Sequence, residues 1–442
     1  MIVKTIHYLV CILLLTSACA GNQAKSTRPA EWLALNQEFI RLYAQGDYDR
    51  ALITAQREVD LAGGFSPREN ADLATSLNNL GVAFTALGRF AEAESPLRRA
   101  LAMREKLLGF NHLEVATTLG NLGELYAARN MPSEAEDAFI RALEIREAAL
   151  GPENPDLADT LHNLGKLYYQ KGLLDQGETS LKRALLIREK TLGPDSAHVG
   201  QTLDNLAGIA QTRREYHEAQ ILLERSLAIK EKALGPDHPW LMNTLTNLTE
   251  TLMAQGQVAD AESVIRRAVA IGEKVYGPEN VTMAVPLTTL GNLATAQGKY
   301  QEAEQVYVRA LNLRARALPA DHMDMALSLG NLATLYYLQE RFTEAEPLYE
   351  RALAISEAQL GPDHADVAQL LHNVGVLNRK LGNLDQAETN FLRALAIREK
   401  VFGMSDPLVA ETLEALAIVL RENGDAIGAI QYADRAKAIR VK

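Results

Sequence analysis

The chain has 442 residues, 47% hydrophobic and 23% charged, a balance that folds rather than stays disordered. Its net charge of -11 and the absence of a basic stripe exclude nucleic acid as the natural partner. Its two cysteines, Cys11 and Cys19, both precede residue 20, so the rest of the chain can hold no disulfide framework, thiol nucleophile or cysteine-based zinc site.

The first residues combine Lys4, an apolar run from Tyr8 to Leu15 and then small side chains. This is the layout of a secretory signal over residues 1–18, too short to span a bilayer stably. Thr16-Ser17-Ala18-Cys19 resembles the bacterial lipobox, with Thr16 where Leu is usual. The resemblance implies cleavage before Cys19 and lipidation of Cys19. With Ala20 next, it also implies a place on the outer membrane facing the periplasm. Ala18-Cys19-Ala20 allows a second reading, ordinary cleavage after Ala20 and secretion, and an uncleaved anchor is a third. Residues 19–30 then read as a polar tether; the ten residues from Ala20 to Pro29 reach at most ~35 Å.

From residue 31 to 442 one unit repeats about ten times with a step of 42 residues. Asn79, Asn121, Asn163, Asn205, Asn247, Asn331 and Asn373 share one column, interrupted by Thr289. Ala93, Ala135, Gly177, Ala219 and their successors form a small column, and Ala100, Ala142, Ala184, Ser226 and theirs form another seven residues on. Such columns let neighbouring helices approach closely. Gly46 and Ala51 fall one step before Gly88 and Ala93 and mark a degenerate first unit.

Each unit reads as two helices. In the fourth, a helix A is predicted from near Pro155 to Lys171, with Gly172 as its stop, and a helix B follows from Asp175. Gly88, Gly256, Gly298, Gly382 and Gly424 match Gly172, whereas Arg214 and Glu340 replace it and predict strained turns. Asn154, Ser196, Asn280 and Asp406 suit an N-cap, with Pro after it in several units and acids such as Glu114, Asp156, Asp324 and Asp366 in the first turn. Pro286, inside a helix A, should kink or delay it. Lysines and arginines beside glutamates, as in "IREK", read as a solvated face.

Catalytic and metal chemistry find little support. His112, His238, His322 and His364 occupy one column in the turns between units, which spaces them along the array and reads as structural. No H-x-x-x-H pair, nucleophile elbow or phosphate-cradling glycine loop occurs, and the acid pairs recur in every unit. No enzyme activity, cofactor, metal or small-molecule substrate is expected.

"NLGELY" (Asn121–Tyr126), "EAEPLYERALAI" (Glu344–Ile355) and "KEKALGPDHP" (Lys230–Pro239) resemble the tetratricopeptide repeat in the long form of kinesin light chains. The resemblance covers about Glu31 to Lys442. It implies an all-α, right-handed superhelical solenoid with the A helices on its concave face, binding a protein or extended peptide. It also implies that the seven asparagines contact the ligand backbone. Asn is a poor helix-interior residue, less favourable than Ala by roughly 0.7 kcal/mol, so its recurrence needs a reason. The side chain is too short to bond its counterpart easily on the next helix, about 8–10 Å away. A bond to neighbouring backbone, a held water and a ligand contact are the open readings. The expected function is a lipid-anchored adaptor or scaffold; the rival is a structural or assembly subunit of an envelope complex that uses its convex face or edges.

Overall fold

The computed structural model describes residues 30–65, 67 and 69–441. The signal segment, Cys19 and the tether as far as residue 29 lie outside the described residues. Among the described residues there are twenty α-helices, one 3₁₀ turn and no strand, which is the all-α helix-pair solenoid expected from the repeat step. The chain divides into two compact units, one ending at Pro236 and one beginning at Asp237.

The N-terminal unit holds the pairs α1 (Ala30–Ala44) and α2 (Tyr48–Ala62), α3 (Ala71–Ala86) and α4 (Phe90–Leu108), α5 (Leu113–Ala128) and α6 (Pro132–Leu150), α7 (Leu157–Gln170) and α8 (Leu174–Leu192), and α9 (Ala197–Thr212) and α10 (Tyr216–Leu234). The C-terminal unit holds α11 (Leu241–Ala254) and α12 (Val258–Tyr276), α13 (Ala284–Ala296) and α14 (Tyr300–Ala317), α15 (Met323–Leu338) and α16 (Phe342–Leu360), α17 (Ala365–Leu381) and α18 (Leu384–Phe402), and α19 (Pro407–Glu422) and α20 (Ala426–Arg440). Odd-numbered helices are the A helices. Within each unit, every B helix packs on its own A helix and on the A helix that follows.

The small columns do what their spacing implies: Ala93, Ala100, Ala135, Ala142 and Ala184 are wholly buried. A further column, not recognised from the sequence, sits on the A helices. A Cβ on Gly123 would lie 2.6 Å from the Phe139 ring, and one on Gly291 would lie 2.4 Å from Tyr307. At these two repeats the B-helix ring is seated against a glycine sixteen residues earlier, a knob in a hole; at Tyr349 the small residue is Ala333.

The turns follow their local chemistry. Gly172 has φ +74°, and Asn130, Arg214 and Glu340 hold the same left-handed backbone at φ 59°, 63° and 61°, the strain expected where glycine is replaced. The turn histidines prove to be helix caps. Nδ1 of His112, His322 and His364 accepts the backbone N–H of Glu114, Asp324 and Asp366 at 3.2, 3.1 and 3.1 Å, and His238 does the same for Trp240 at 3.2 Å. Asn154 and Asp406 accept likewise, but Ser196 makes no side-chain cap bond. Helix α7 starts at Leu157 rather than near Pro155, whereas Pro407 is the first residue of α19. At Pro286 the helix is delayed: a 3₁₀ turn (Val281–Met283) comes first, and the proline falls in the first turn of α13, where its missing N–H has no helical partner to lose.

Candidate functional site on the A helices

The A helices expose a polar stripe at helical spacing. On α5 it contains Thr117, Asn121 and Glu124; on α7, Asp159, Asn163 and Lys166. All seven asparagines of the column lie on A helices and all are half-buried. Thr289, which interrupts the column, is buried.

As expected, the column asparagines do not bond one another in the N-terminal unit, but each reaches another residue of the preceding A helix, a reading the sequence did not offer. Asn79 Nδ2 donates to Asn36 Oδ1 at 2.9 Å and to Glu58 Oε2 at 3.0 Å. Asn121 donates to Asn78 Oδ1 at 2.8 Å, and Asn163 to Glu124 Oε1 at 2.9 Å. The Asn205 amide lies 3.2 Å from His162 Nε2. Two side chains reaching toward each other close a distance that one cannot. The partner is not the column asparagine of the preceding repeat but the residue just before it, or the one three places after it. The preceding position runs Asn36, Asn78, Gly120, His162 along this unit. Where Gly120 offers no acceptor, Asn163 turns to Glu124 instead.

The C-terminal unit lacks this regularity. Thr289 makes a long 3.4 Å contact to Glu250, and Asn373 accepts from Gln369 of its own helix at 3.0 Å. The residue that would face Asn373 from the preceding A helix is Gly330. Asn331 makes no side-chain hydrogen bond to a described residue. Asn247, on α11, is half-buried like the rest.

A correction concerns "IREK". Its lysines are on the surface, Lys190 at 64% exposure, but its arginines are core residues: Arg188 is 4% exposed and Arg398 1%. They belong to a column with Arg104, Arg146, Lys230, Arg314 and Arg440. Each buried guanidinium donates to a hydroxyl fourteen residues on: Arg104 to Thr118 at 2.6 Å, Arg188 to Thr202 at 2.7 Å, Arg314 to Ser328 at 2.5 Å and Arg398 to Thr412 at 2.7 Å; Arg146 reaches Thr160 in the same way. The two positions vary together. Where the column has Gly272 or Ser356, the hydroxyl position has Pro286 or Leu370. Pro286 is thus admitted where no guanidinium needs a hydroxyl, and Met242 and Met283 pack against Gly272. The co-varying pair was present in the sequence at the same step and was the signal that could have revealed this buried ladder.

The N-terminal unit ties the two ladders together. Arg188 Nη2 donates to Asp159 Oδ1 at 2.6 Å, and its Nη1 lies 3.2 Å from His162 Nδ1. Arginine can only donate, so His162 Nδ1 is the acceptor and its ring proton sits on Nε2, and the Asn205 side-chain amide can accept that proton once its oxygen and nitrogen are interchanged. Burial, with the Arg188 charge beside it, holds the His162 pKa well below the usual histidine range. Burial also pushes Glu58 up to about 8 and Glu124 up to about 7, each partly opposed by its asparagine donor. In the C-terminal unit burial lowers His372 to about 4. Among the described residues no group of histidines and acids is placed to hold a metal ion, and no helix is long and apolar enough to cross a membrane.

A sequence model described as Tetratricopeptide repeat matches residues 41–106, 72–148, 114–176, 156–232, 199–252, 241–316, 324–400 and 366–440. No curated protein matches the chain. Among solved structures, BtubC (BKLC) from P. vanneervenii is 25% identical over 52% of this chain and 92% of its own, with a TM-score of 0.46. A putative kinesin light chain with nearly identical TPR-like repeats from Podosopora anserina is 25% identical over 47% of this chain and 98% of its own, with a TM-score of 0.41. A Rap protein complexed with competence and sporulation factor aligns over 87% of this chain and all (100%) of its own at 17% identity and a TM-score of 0.60, a likeness of fold. Repeats of one helix pair matched nearly end to end, and built as stacked pairs in both units, make the chain a member of the tetratricopeptide repeat family.

Proposed function

We propose that this chain is a non-enzymatic adaptor whose A-helix face holds a protein segment or extended peptide, and that lipidated Cys19 anchors it to the outer membrane of a bacterium, facing the periplasm. Tetratricopeptide repeats are in general interaction scaffolds, and the Rap neighbour is complexed with competence and sporulation factor. One observation carries the reading. Asn79, Asn121, Asn163 and Asn205 each commit one half of the side-chain amide to the preceding A helix, while the other half has no partner among the described residues. A half-satisfied, half-buried amide row matches the alternating N–H and C=O groups of an extended chain.

The test is a pull-down from bacterial envelope extract with the wild-type chain and with Asn121→Ala, Asn163→Ala and Asn205→Ala combined, after circular dichroism shows equal helicity. A partner captured by the wild type and lost by the triple variant supports the groove. A partner retained by both places the contact on the convex face or an edge, the reading of a structural or assembly subunit. Anchoring is read separately: labelled palmitate should enter the wild type and not Cys19→Ala.

A further inference from the structure

The A-helix face changes character on α15. Its stripe is Leu327, Asn331, Thr334 and Leu338, with no charge among them. The same positions are Thr117, Asn121, Glu124 and Ala128 on α5, and Asp159, Asn163, Lys166 and Gln170 on α7. Leu327 and Leu338 are 40% and 44% exposed, although α13 and α17 flank α15 within the unit. Val285 of α13 precedes Leu327 in its column and is half-buried. Apolar area is thus left open on a stripe that is polar on α5 and α7.

Between the leucines the Asn331 amide is half-buried, and neither its oxygen nor its nitrogen has a partner among the described residues. The bridging asparagines of the N-terminal unit each have one half taken, and Asn373 accepts from Gln369. Thr334, one turn on, faces inward: it donates to the Gly330 carbonyl at 2.9 Å and receives the Tyr349 hydroxyl at 2.8 Å. Asn331 is therefore free on this stripe both to donate and to accept, as the N–H and C=O of one extended residue require. A charged ligand side chain here would be partly desolvated with no opposite charge on the stripe. Exposed Lys380, which follows Leu338 in its column on α17, repels a base in particular.

We propose, building on the groove reading above, that Asn331 seats two successive apolar residues of the extended ligand. A chain following the asparagine row crosses α15 at Asn331, and its backbone takes both halves of the amide. Successive side chains of an extended chain point to opposite sides, so one lies toward Leu327 and the next toward Leu338. Along the helix Leu327 is about 6 Å from Asn331 and Leu338 about 10 Å. The second side chain is therefore the longer, leucine-sized or larger.

The probes are fluorescein-labelled, end-capped peptides of about eight residues, enough to cross three A helices. Each has a threonine-rich host and a central pair, Leu-Leu, Asp-Asp or Lys-Lys. Anisotropy against the full chain should show the Leu-Leu peptide binding at least about tenfold more tightly than either charged one. Asn331→Ala should weaken it about fivefold, and Leu327→Lys should weaken it while raising affinity for the Asp-Asp peptide. No binding of the Leu-Leu peptide, equal binding of all the probes, or a preference untouched by both substitutions overturns the proposal. Leu327 is exposed and Asn331 makes no side-chain bond to a described residue, and circular dichroism confirms that both variants fold. The groove reading is judged apart from this. If the triple asparagine variant loses the envelope partner but the peptides show no preference, the groove stands and the role of Asn331 falls; if the partner is kept as well, both fall.

Discussion

The two units carry the same repeat but use its polar columns differently. In the N-terminal unit four asparagines in succession bridge to the preceding A helix, and Arg188 joins that row to the buried guanidinium ladder through His162 and Asp159. In the C-terminal unit Asn373 bonds within its own helix, and Arg314, 1% exposed, donates to the hydroxyls of Thr288 and Ser328, whereas Arg398 reaches Gln369, Glu411 and Thr412. The asparagine is the same in both. What differs is the residue offered to it by the repeat before, so the bond belongs to a pair of positions and not to the conserved-looking column alone. Both units tie the asparagine row to the buried guanidinium ladder, the N-terminal one across repeats through His162 and Asp159, the C-terminal one through Gln369, which takes Arg398 at 2.7 Å and gives to Asn373 at 3.0 Å.

Replacing Arg188 and Arg314 should separate a networked guanidinium from one held by hydroxyls most strongly. Arg188→Met strips Asp159, Thr202 and His162 of a shared donor and should cost about 3 kcal/mol. Arg314→Met should stay within about 1 kcal/mol, because Thr288 and Ser328 already donate to Ala284 and Asp324 carbonyls in their own helices. Equal losses in urea melts would mean that the network adds nothing beyond packing.

The pH dependence should come next. Glu58 is wholly buried in the N-terminal unit, at the column position that Ala310, Ala352 and Ala394 fill in the C-terminal one. With its pKa pushed up to about 8, the folded chain keeps a proton that the unfolded chain releases near the ordinary carboxylate value of 4.5. Stability should therefore fall as pH rises between those values, by at most about 1.4 kcal/mol per pH unit from this group, and level off above them. Glu124 adds a like slope up to about 7. Glu58→Gln should flatten the first contribution and stabilise the chain at pH 8; unchanged curvature would show that Glu58 ionises in place.

Smaller effects test the pairing rule itself. Asn205→Ala should cost about 1 kcal/mol, the net worth of a partly buried hydrogen bond, whereas Asn331→Ala should lie within about 0.5 kcal/mol of wild type. Gly330→Asn would give Asn373 the partner that Asn78 gives Asn121. A Cβ there meets Leu370 at an ordinary 3.4 Å, so the variant should gain about 0.5 kcal/mol from the new bond and the lost helix glycine. A loss would show that the two A helices stand too far apart for the bridge in this unit.

Much was legible before any coordinates. A 42-residue step determined the helix pairs, the small columns determined their close approach, and the turn glycines determined where each helix A ends. Those features depend on neighbours along the chain, so periodicity exposes them. The turn histidines were recognised as structural because one per repeat cannot converge, although their role as caps needed the backbone geometry. The misreading of "IREK" had a physical cause. Arg and Glu at adjacent positions look solvated on a helical wheel, but a B helix in a solenoid touches two A helices, and the second covers the arginine while leaving the lysine two residues on in water. The asparagine bridges are not legible in one column because each joins two different columns, whose approach is set by how the helix pairs stack.

The sequence by itself determined the repeat, its register and the residue types in each column. Only the tertiary structure decided which columns meet across neighbouring repeats, hence which asparagines are tied and which arginines are buried. The reason is geometric: a helix fixes its own faces by its period, but the partner of each face is set by how the next helix pair stacks, and that placement brings together residues 14, 39 or 43 positions apart.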